Sequence, residues 1–69
     1  MTKGYPIEDL YKMAIDITLE ESKVSVSLLQ RKLQIGYALA CHLLDLMEER
    51  KIIGEANGSR PREIFKKPH

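Results

Sequence analysis

Residues 27–50, SLLQRKLQIGYALACHLLDLMEER, predict two helices joined by a tight turn. Ser27 and Gln30 stand three residues apart, the spacing of a capping box, so we expect a short helix over residues 28–33. Gly36 can adopt a positive backbone φ without steric cost, and we expect it to turn the chain sharply after that helix.

A longer helix is predicted over residues 37–50. Its apolar residues recur at spacings of three and four, which is typical of a helix with one face in a core. The expected core-facing residues are Ala40, Leu43, Leu44 and Met47.

The chain before this pair predicts one more helix and a brief strand. Pro6 suits a first helical turn, and Glu8 and Asp9 place negative charge near the positive end of the helix dipole. We expect a helix over residues 7–20, with a stripe of Ile7, Leu10, Met13, Ala14 and Ile17. The alternation of Val24, Ser25 and Val26 predicts a short edge strand.

The chain after the pair predicts a β-hairpin. Residues 52–55 and 62–65 have the composition of two short strands, and Asn57-Gly58 between them is a strong hairpin signal. Together these elements predict a mainly α domain with a small β-hairpin, a winged helix-turn-helix of three helices and a short three-stranded sheet. We expect one domain over residues 1–69, with a core of about 6–66 and flexible termini.

Charge is unevenly distributed along the chain. The net charge is +1, yet residues 1–55 hold seven Lys and Arg against nine Asp and Glu, whereas residues 56–69 hold four against one. The basic C-terminal end can meet phosphates, and a solvated basic tail is the alternative.

Several function classes are disfavoured. The 69 residues contain no apolar run of the roughly 18 to 20 residues that span a bilayer, so we expect a cytoplasmic domain without membrane contact. Cys41 is the single cysteine and has no useful ligand partners, so we expect no metal and no cofactor. Ser25, Ser27 and the distant His42 form no triad signal, and we expect no enzyme activity.

Three segments resemble the gamma module of the FtsK/SpoIIIE DNA translocases: LLQRKLQIGY at 28–37, LLDLMEERKIIG at 43–54 and NGSRPREIF at 57–65. The resemblance implies a C-terminal module of a hexameric DNA pump that recognises short oriented chromosomal sequences, in chromosome segregation and cell division. It also implies double-stranded DNA as a partner, together with a translocase motor or a recombinase. No G-x-x-x-x-G-K-[ST] phosphate loop occurs here, so ATP hydrolysis is not expected of these residues.

The recognition helix departs from the pattern of that family. After the tyrosine of IGY the family typically has Asn, Arg, two small residues and Arg, whereas Tyr37 is followed here by ALACH. Asn and Arg pair bidentately with bases, each pair being worth roughly 1–3 kcal/mol of discrimination. We therefore expect DNA binding with altered or weakened sequence specificity.

The predicted DNA contacts are polar, basic or small residues of the second and third helices and of the wing. They are Arg31, Lys32, Tyr37, Ala38, His42, Asp45, Ser59, Arg60, Arg62 and Lys66. For Tyr37, packing of the ring under the turn competes with a hydroxyl contact to phosphate.

A protein-interaction module is the alternative function. If Ala38, Leu39 and Leu46 lie on the outer face of the third helix, they form an apolar patch that suits a protein partner or a second copy of the chain.

Overall fold

The computed structural model describes residues 4–55 and 62–65, in which the chain forms three helices. Helix α1 spans Ile7–Glu21, α2 spans Val26–Leu33 and α3 spans Tyr37–Glu49. The three helices expected from the sequence are confirmed, with ends that differ by at most two residues.

Helix α1 begins where Pro6 cannot donate a backbone hydrogen bond but can accept one. The Pro6 carbonyl accepts the amides of Asp9 at 3.0 Å and Leu10 at 3.1 Å. Of the predicted stripe, Leu10 and Ala14 are buried, Met13 and Ile17 are half-buried, and Ile7 is 38% exposed. The buried residues Tyr11 and Thr18 were not predicted as core, because a ring hydroxyl and a β-hydroxyl count as polar in a periodicity reading.

The start of α2 corrects two expectations. The hydroxyl of Ser25 caps the helix by accepting the backbone amide of Leu28 at 3.0 Å, so the helix begins at Val26 and the capping box from Ser27 is wrong. The edge strand at Val24 to Val26 is wrong for the same reason. An N-cap residue has extended backbone angles, and Ser25 has φ −161° and ψ 162°, so a cap and a strand residue look alike locally.

The turn between α2 and α3 contains a left-handed residue, but it is Gln34 and not Gly36. Gln34 has φ 57° directly after α2, and its amide donates to the Gln30 carbonyl. Gly36 has φ −76° and ψ 170° and is the N-cap of α3. The expectation of a positive φ at Gly36 is therefore wrong, although the turn lies where it was predicted.

Helix α3 ends in a Schellman motif. The amide of Ile52 donates to the Met47 carbonyl at 2.8 Å, and that of Lys51 donates to Glu48 at 3.1 Å, with Lys51 left-handed at φ 64°. Met47 and Ile52 are both buried, which is the apolar contact that usually accompanies this motif. The chain thus leaves α3 with its next residues held against the core.

The three-stranded sheet is wrong. Within residues 4–55 and 62–65 there is no strand, and β pairing is limited to an isolated antiparallel bridge between Ile53 and Ile64. Two backbone hydrogen bonds flank it, from Gly54 to the Glu63 carbonyl and from Phe65 to the Ile52 carbonyl, both at 2.8 Å. We call the two paired segments, residues 52–55 and 62–65, the first and second arms. The first arm is also bonded to the end of α3, because the amides of Ile52 and Ile53 donate to the Met47 carbonyl. Asn57 and Gly58 lie outside the described residues.

One core joins the helices to the bridged segments. Its buried members from α3 are the predicted Ala40, Leu43, Leu44 and Met47, which are confirmed. Of the two bridged residues, Ile53 is buried in this core at 1% exposure, and Ile64 packs against the core. The other buried members are Leu10, Tyr11, Ala14, Val24, Leu29, Leu33 and Ile52. The described chain is mainly α and is compatible with the helical core of a winged helix.

Candidate nucleic-acid interface

The outward face of α3 carries three of the predicted contact residues on one stripe. Ala38, His42 and Asp45 are spaced by four and three residues, so they share a helix face, and all three are exposed. This face is opposite the buried stripe that ends at Met47. A helix that packs against the core on one face and is solvent-exposed on the other can fit into a DNA major groove, which is about 12 Å wide.

The same helix carries no Lys or Arg between Tyr37 and Glu49. Its exposed charges include Asp45 and Glu49, both negative. Arg50, the next residue, lies with its guanidinium carbon 4.7 Å from the ring centroid of Tyr11. Cationic side chains that attract phosphates must therefore come from outside α3.

Tyr37 begins α3 with its ring 66% exposed and not packed under the turn. A side-chain hydrogen bond with Cys41, one helical turn later, raises the pKa of Tyr37, and the electrostatic interaction with Cys41 and desolvation act in the same direction. The raised pKa favours the neutral phenol over the phenolate.

Helix α2 supplies two exposed cations in its last turn, Arg31 and Lys32. Lys32 lies 3.4 Å from a carboxylate oxygen of Glu21, and the two side chains are 46% and 30% exposed. A pair this exposed is worth at most about 1 kcal/mol, so a phosphate can compete for the ammonium.

Arg62 is bound within the domain. Its Nη1 donates to Oε1 of Glu48 at 2.9 Å and to the carbonyl of Gly54 at 3.0 Å. The sequence assigned this residue to DNA contact, and it did not identify Glu48 or Gly54 as its partners. Arg62 and Glu48 are 14 residues apart and meet only when residues 62–65 fold back against α3, so no local sequence pattern predicts the pair.

The other wing residues assigned to DNA, Ser59, Arg60 and Lys66, lie outside the described residues. The structure therefore brings together Ala38, His42 and Asp45 on α3. Arg31, Lys32 and Tyr37 are exposed on either side of the turn at residues 34–36.

The apolar patch expected for a protein partner is smaller than the sequence suggested. Leu39 and Leu46 are half-buried and pack against the core, while Ala38 is exposed. The large exposed apolar residues are Tyr5, Ile7, Tyr37 and Phe65 among those described, and none belongs to that patch.

Within residues 4–55 and 62–65, no helix has the length and apolar character needed to cross a membrane. Nor does this part of the chain gather three or more His, Cys, Asp or Glu side chains in a group that could hold a metal ion. Cys41 is half-buried and forms no disulfide.

Comparison with known proteins gives one consistent match. The model of the Ftsk gamma domain family matches residues 6–67. The chain is 46% identical over 58 residues to the DNA translocase FtsK of Halalkalibacterium halodurans, covering 84% of this chain and 7% of that protein. It is 42% identical over 62 residues to the FtsK of Listeria monocytogenes, covering 90% and 8%, and 44% identical over 58 residues to the DNA translocase SpoIIIE of Bacillus subtilis, covering 84% and 7%. The chain thus spans less than a tenth of the length of these relatives, in a small non-catalytic domain and not in the ATPase motor.

Proposed function

The chain belongs to the FtsK gamma domain family, and from this premise we propose that it is a double-stranded DNA-binding module. The observation that supports this proposal is the match over residues 6–67 to a domain of proteins named DNA translocases. The outer face of α3 is also solvent-exposed. The protein-interaction alternative has less support, because Leu39 and Leu46 pack inward.

Phosphates provide most of the affinity in this proposal. Arg31 and Lys32 stand at the end of α2, and the hydroxyl of Tyr37 is a neutral donor on the other side of the turn. Arg60, Ser59 and Lys66 add donors from the chain after α3. Backbone contacts of this kind fix the position of a protein on the duplex without reading its sequence.

Base reading falls to the outer stripe of α3, with a different set of donors and acceptors from the Asn and Arg typical of the family. Asp45 can accept a hydrogen bond from the N4 amino group of cytosine, His42 can donate to N7 of guanine, and Ala38 can contact a thymine methyl group. The negative charge of Asp45 also repels nearby phosphates, so the residue that distinguishes between bases lowers the affinity of the domain for DNA. We therefore expect weak, altered sequence preference.

The wider role that follows is to orient or recruit a translocase, or a related machine, on DNA. A translocase motor and a recombinase are the protein partners proposed with it, because the curated relatives are whole translocases and the chain matches only one of their domains.

The test is a fluorescence-anisotropy titration of labelled duplexes of varied sequence at two or more salt concentrations. Each phosphate contact contributes about 0.9 to the slope of log K against log salt. Arg31→Ala and Arg60→Ala should each lower the affinity and reduce the slope by about 0.9, on every duplex.

Lys12→Ala is the matched control, because it removes the same charge from an exposed position of α1. It should lower the affinity less than Arg31→Ala does, because Lys12 is not one of the proposed phosphate contacts. An equal loss from Lys12→Ala would mean that only net charge matters, and absence of binding at low salt would refute the proposed function.

A further inference from the structure

Arg50, the residue that follows α3, is held against the ring of Tyr11. Its guanidinium carbon lies 4.7 Å from the ring centroid, and Tyr11 is itself buried at 9% exposure. The ring contacts the guanidinium through its face and uses none of its in-plane N–H donors. Arg50 is exposed, and among the described residues no carboxylate forms an ion pair with it.

The guanidinium lies beside the outer stripe of α3. Arg50 lines an open pocket of about 210 Å³ between the start of α1 and the last turns of α3, together with Ile7, Glu8, Tyr11, His42 and Leu46. His42 also belongs to the outer stripe, so the pocket borders the surface to which we assign base contacts. At 1.5 Å per residue, Arg50 lies about 12 Å along the helix axis from His42. The pocket therefore forms one flank of α3.

The two flanks of α3 differ in charge. On the other flank, four carboxylates line a groove beside the first arm: Asp45, Glu48, Glu49 and Glu55. Of the described residues that line the pocket of Arg50, one is acidic, Glu8, and it forms no ion pair with the arginine. Because like charges repel, the phosphates of a duplex approach α3 more favourably on the flank of Arg50.

We propose that Arg50, positioned by Tyr11, is a phosphate-binding residue that contacts the backbone of the duplex beside α3. The proposal rests on the proposed DNA-binding function and adds a contact that the sequence did not suggest. Guanidinium donors match two oxygens of a phosphate at once. Stacking on a buried ring restricts the side chain before binding, so less conformational entropy is lost when the phosphate is bound.

Arg50→Ala and Lys51→Ala are a matched pair that tests the contact. The two residues are adjacent and exposed, and each substitution removes one positive charge, but Lys51 lines the acidic groove on the other flank. In the same anisotropy titration, Arg50→Ala should lower the affinity about fivefold and reduce the slope of log K against log salt by about 0.9. Lys51→Ala should leave the slope at the wild-type value. Equal slopes in the two variants would overturn the proposal.

Substitutions of Tyr11 test whether the ring positions the arginine. Tyr11→Phe keeps the ring and should bind DNA as the wild type does. Tyr11→Leu keeps an apolar side chain without a π face, and should weaken binding about threefold with the slope unchanged, because the charge of Arg50 remains. In the Arg50→Ala background, Tyr11→Leu should cause no further loss. A loss that persists in that background would mean that the substitution acts through the fold, and would refute the positioning role.

NMR of the free protein separates failure of this contact from failure of the proposed function. The ring current of Tyr11 should shift the side-chain protons of Arg50 upfield in the wild type and in Tyr11→Phe, but not in Tyr11→Leu. Absence of that shift in the wild type would refute the stacked arrangement even if the protein binds DNA. If the wild type binds duplexes and Arg50→Ala changes neither affinity nor slope, the inference fails and the proposed function stands. If the wild type binds no duplex at low salt, both fail.

Discussion

At the scale of single residues, the ends of the helices are more strained than their composition suggests. Ser22, Gln34 and Lys51 each follow a helix in the left-handed conformation, with φ of 57°, 57° and 64°, and none is glycine. An L-residue in this conformation loses roughly 1–2 kcal/mol relative to the right-handed one. Gly36, which could adopt it freely, has an ordinary negative φ.

Moving the glycine by two positions should therefore stabilise the domain. Gln34→Gly removes the strained Cβ and should raise the free energy of unfolding by about 1 kcal/mol. Gly36→Ser should raise it by about 0.5 kcal/mol or more, because no heavy atom lies within 4 Å of the added Cβ and serine is a better N-cap. Urea denaturation followed by circular dichroism measures both. A loss of stability on Gly36→Ser would mean that the turn needs glycine at this position.

At the scale of elements, the capping of α2 was decided between two serines two residues apart. Both fit a generic N-cap signal, and Ser27 also has Gln30 at capping-box spacing. Ser25 became the cap because Val24 before it is buried at 6% exposure and Val26 after it packs against the core. Burial of the flanking valines selected the register.

Alanine substitution should destabilise the domain at Ser25 and not at Ser27. Ser25→Ala removes the acceptor for the Leu28 amide and should cost about 1 kcal/mol of unfolding free energy. Ser27→Ala lies inside the first turn at an exposed position, where alanine has the higher helix propensity, and should be neutral or slightly stabilising. Thermal denaturation of the two variants side by side gives the comparison. If Ser27→Ala were the more damaging variant, the helix would begin at residue 28 after all.

At the scale of the whole molecule, one small core supports three helices and the bridged arms. A chain of 69 residues has a total stability of only about 3–10 kcal/mol. Leu29, Leu43 and Met47 are fully buried in that core, and the Thr18 hydroxyl donates to Sδ of Met47 at 3.9 Å. Loss of one large core side chain therefore removes a considerable fraction of the stability.

Leu43→Ala should lower the free energy of unfolding by about 2–5 kcal/mol and leave a substantial unfolded population at 37 °C. Leu39→Ala is the control on the same helix, where a half-buried leucine should cost about 1 kcal/mol. Equilibrium urea unfolding resolves the difference. Similar losses for the two would contradict the assignment of Leu43 to the centre of the core and Leu39 to its edge.

Local chemistry along the chain was sufficient to predict the three helices and the inward stripe of α3, while the family followed from the resemblance of three segments to a known one. Helical periodicity and turn chemistry act over a few residues, so they can be recognised in the sequence without coordinates. The three-stranded sheet was a wrong prediction for two reasons. The N-cap residue Ser25 has the extended backbone of a strand residue, so the two look alike in sequence. The segments predicted as two hairpin strands pair, among the described residues, only in an isolated bridge between Ile53 and Ile64.

Folding in three dimensions decided the rest, since it depends on residues that meet only after the chain has closed on itself. Arg62 finds Glu48 and Gly54 across 14 and 8 residues, and Tyr11 is buried beneath Arg50 from the end of a different helix. The backbone of Gln34 is left-handed because the packing of α2 against α3 fixes the position at which the chain reverses direction, and glutamine happens to occupy that position. Long-range packing outweighed local preference wherever the two disagreed, because burying the core is worth more than the roughly 1 kcal/mol at stake in one backbone angle or one cap.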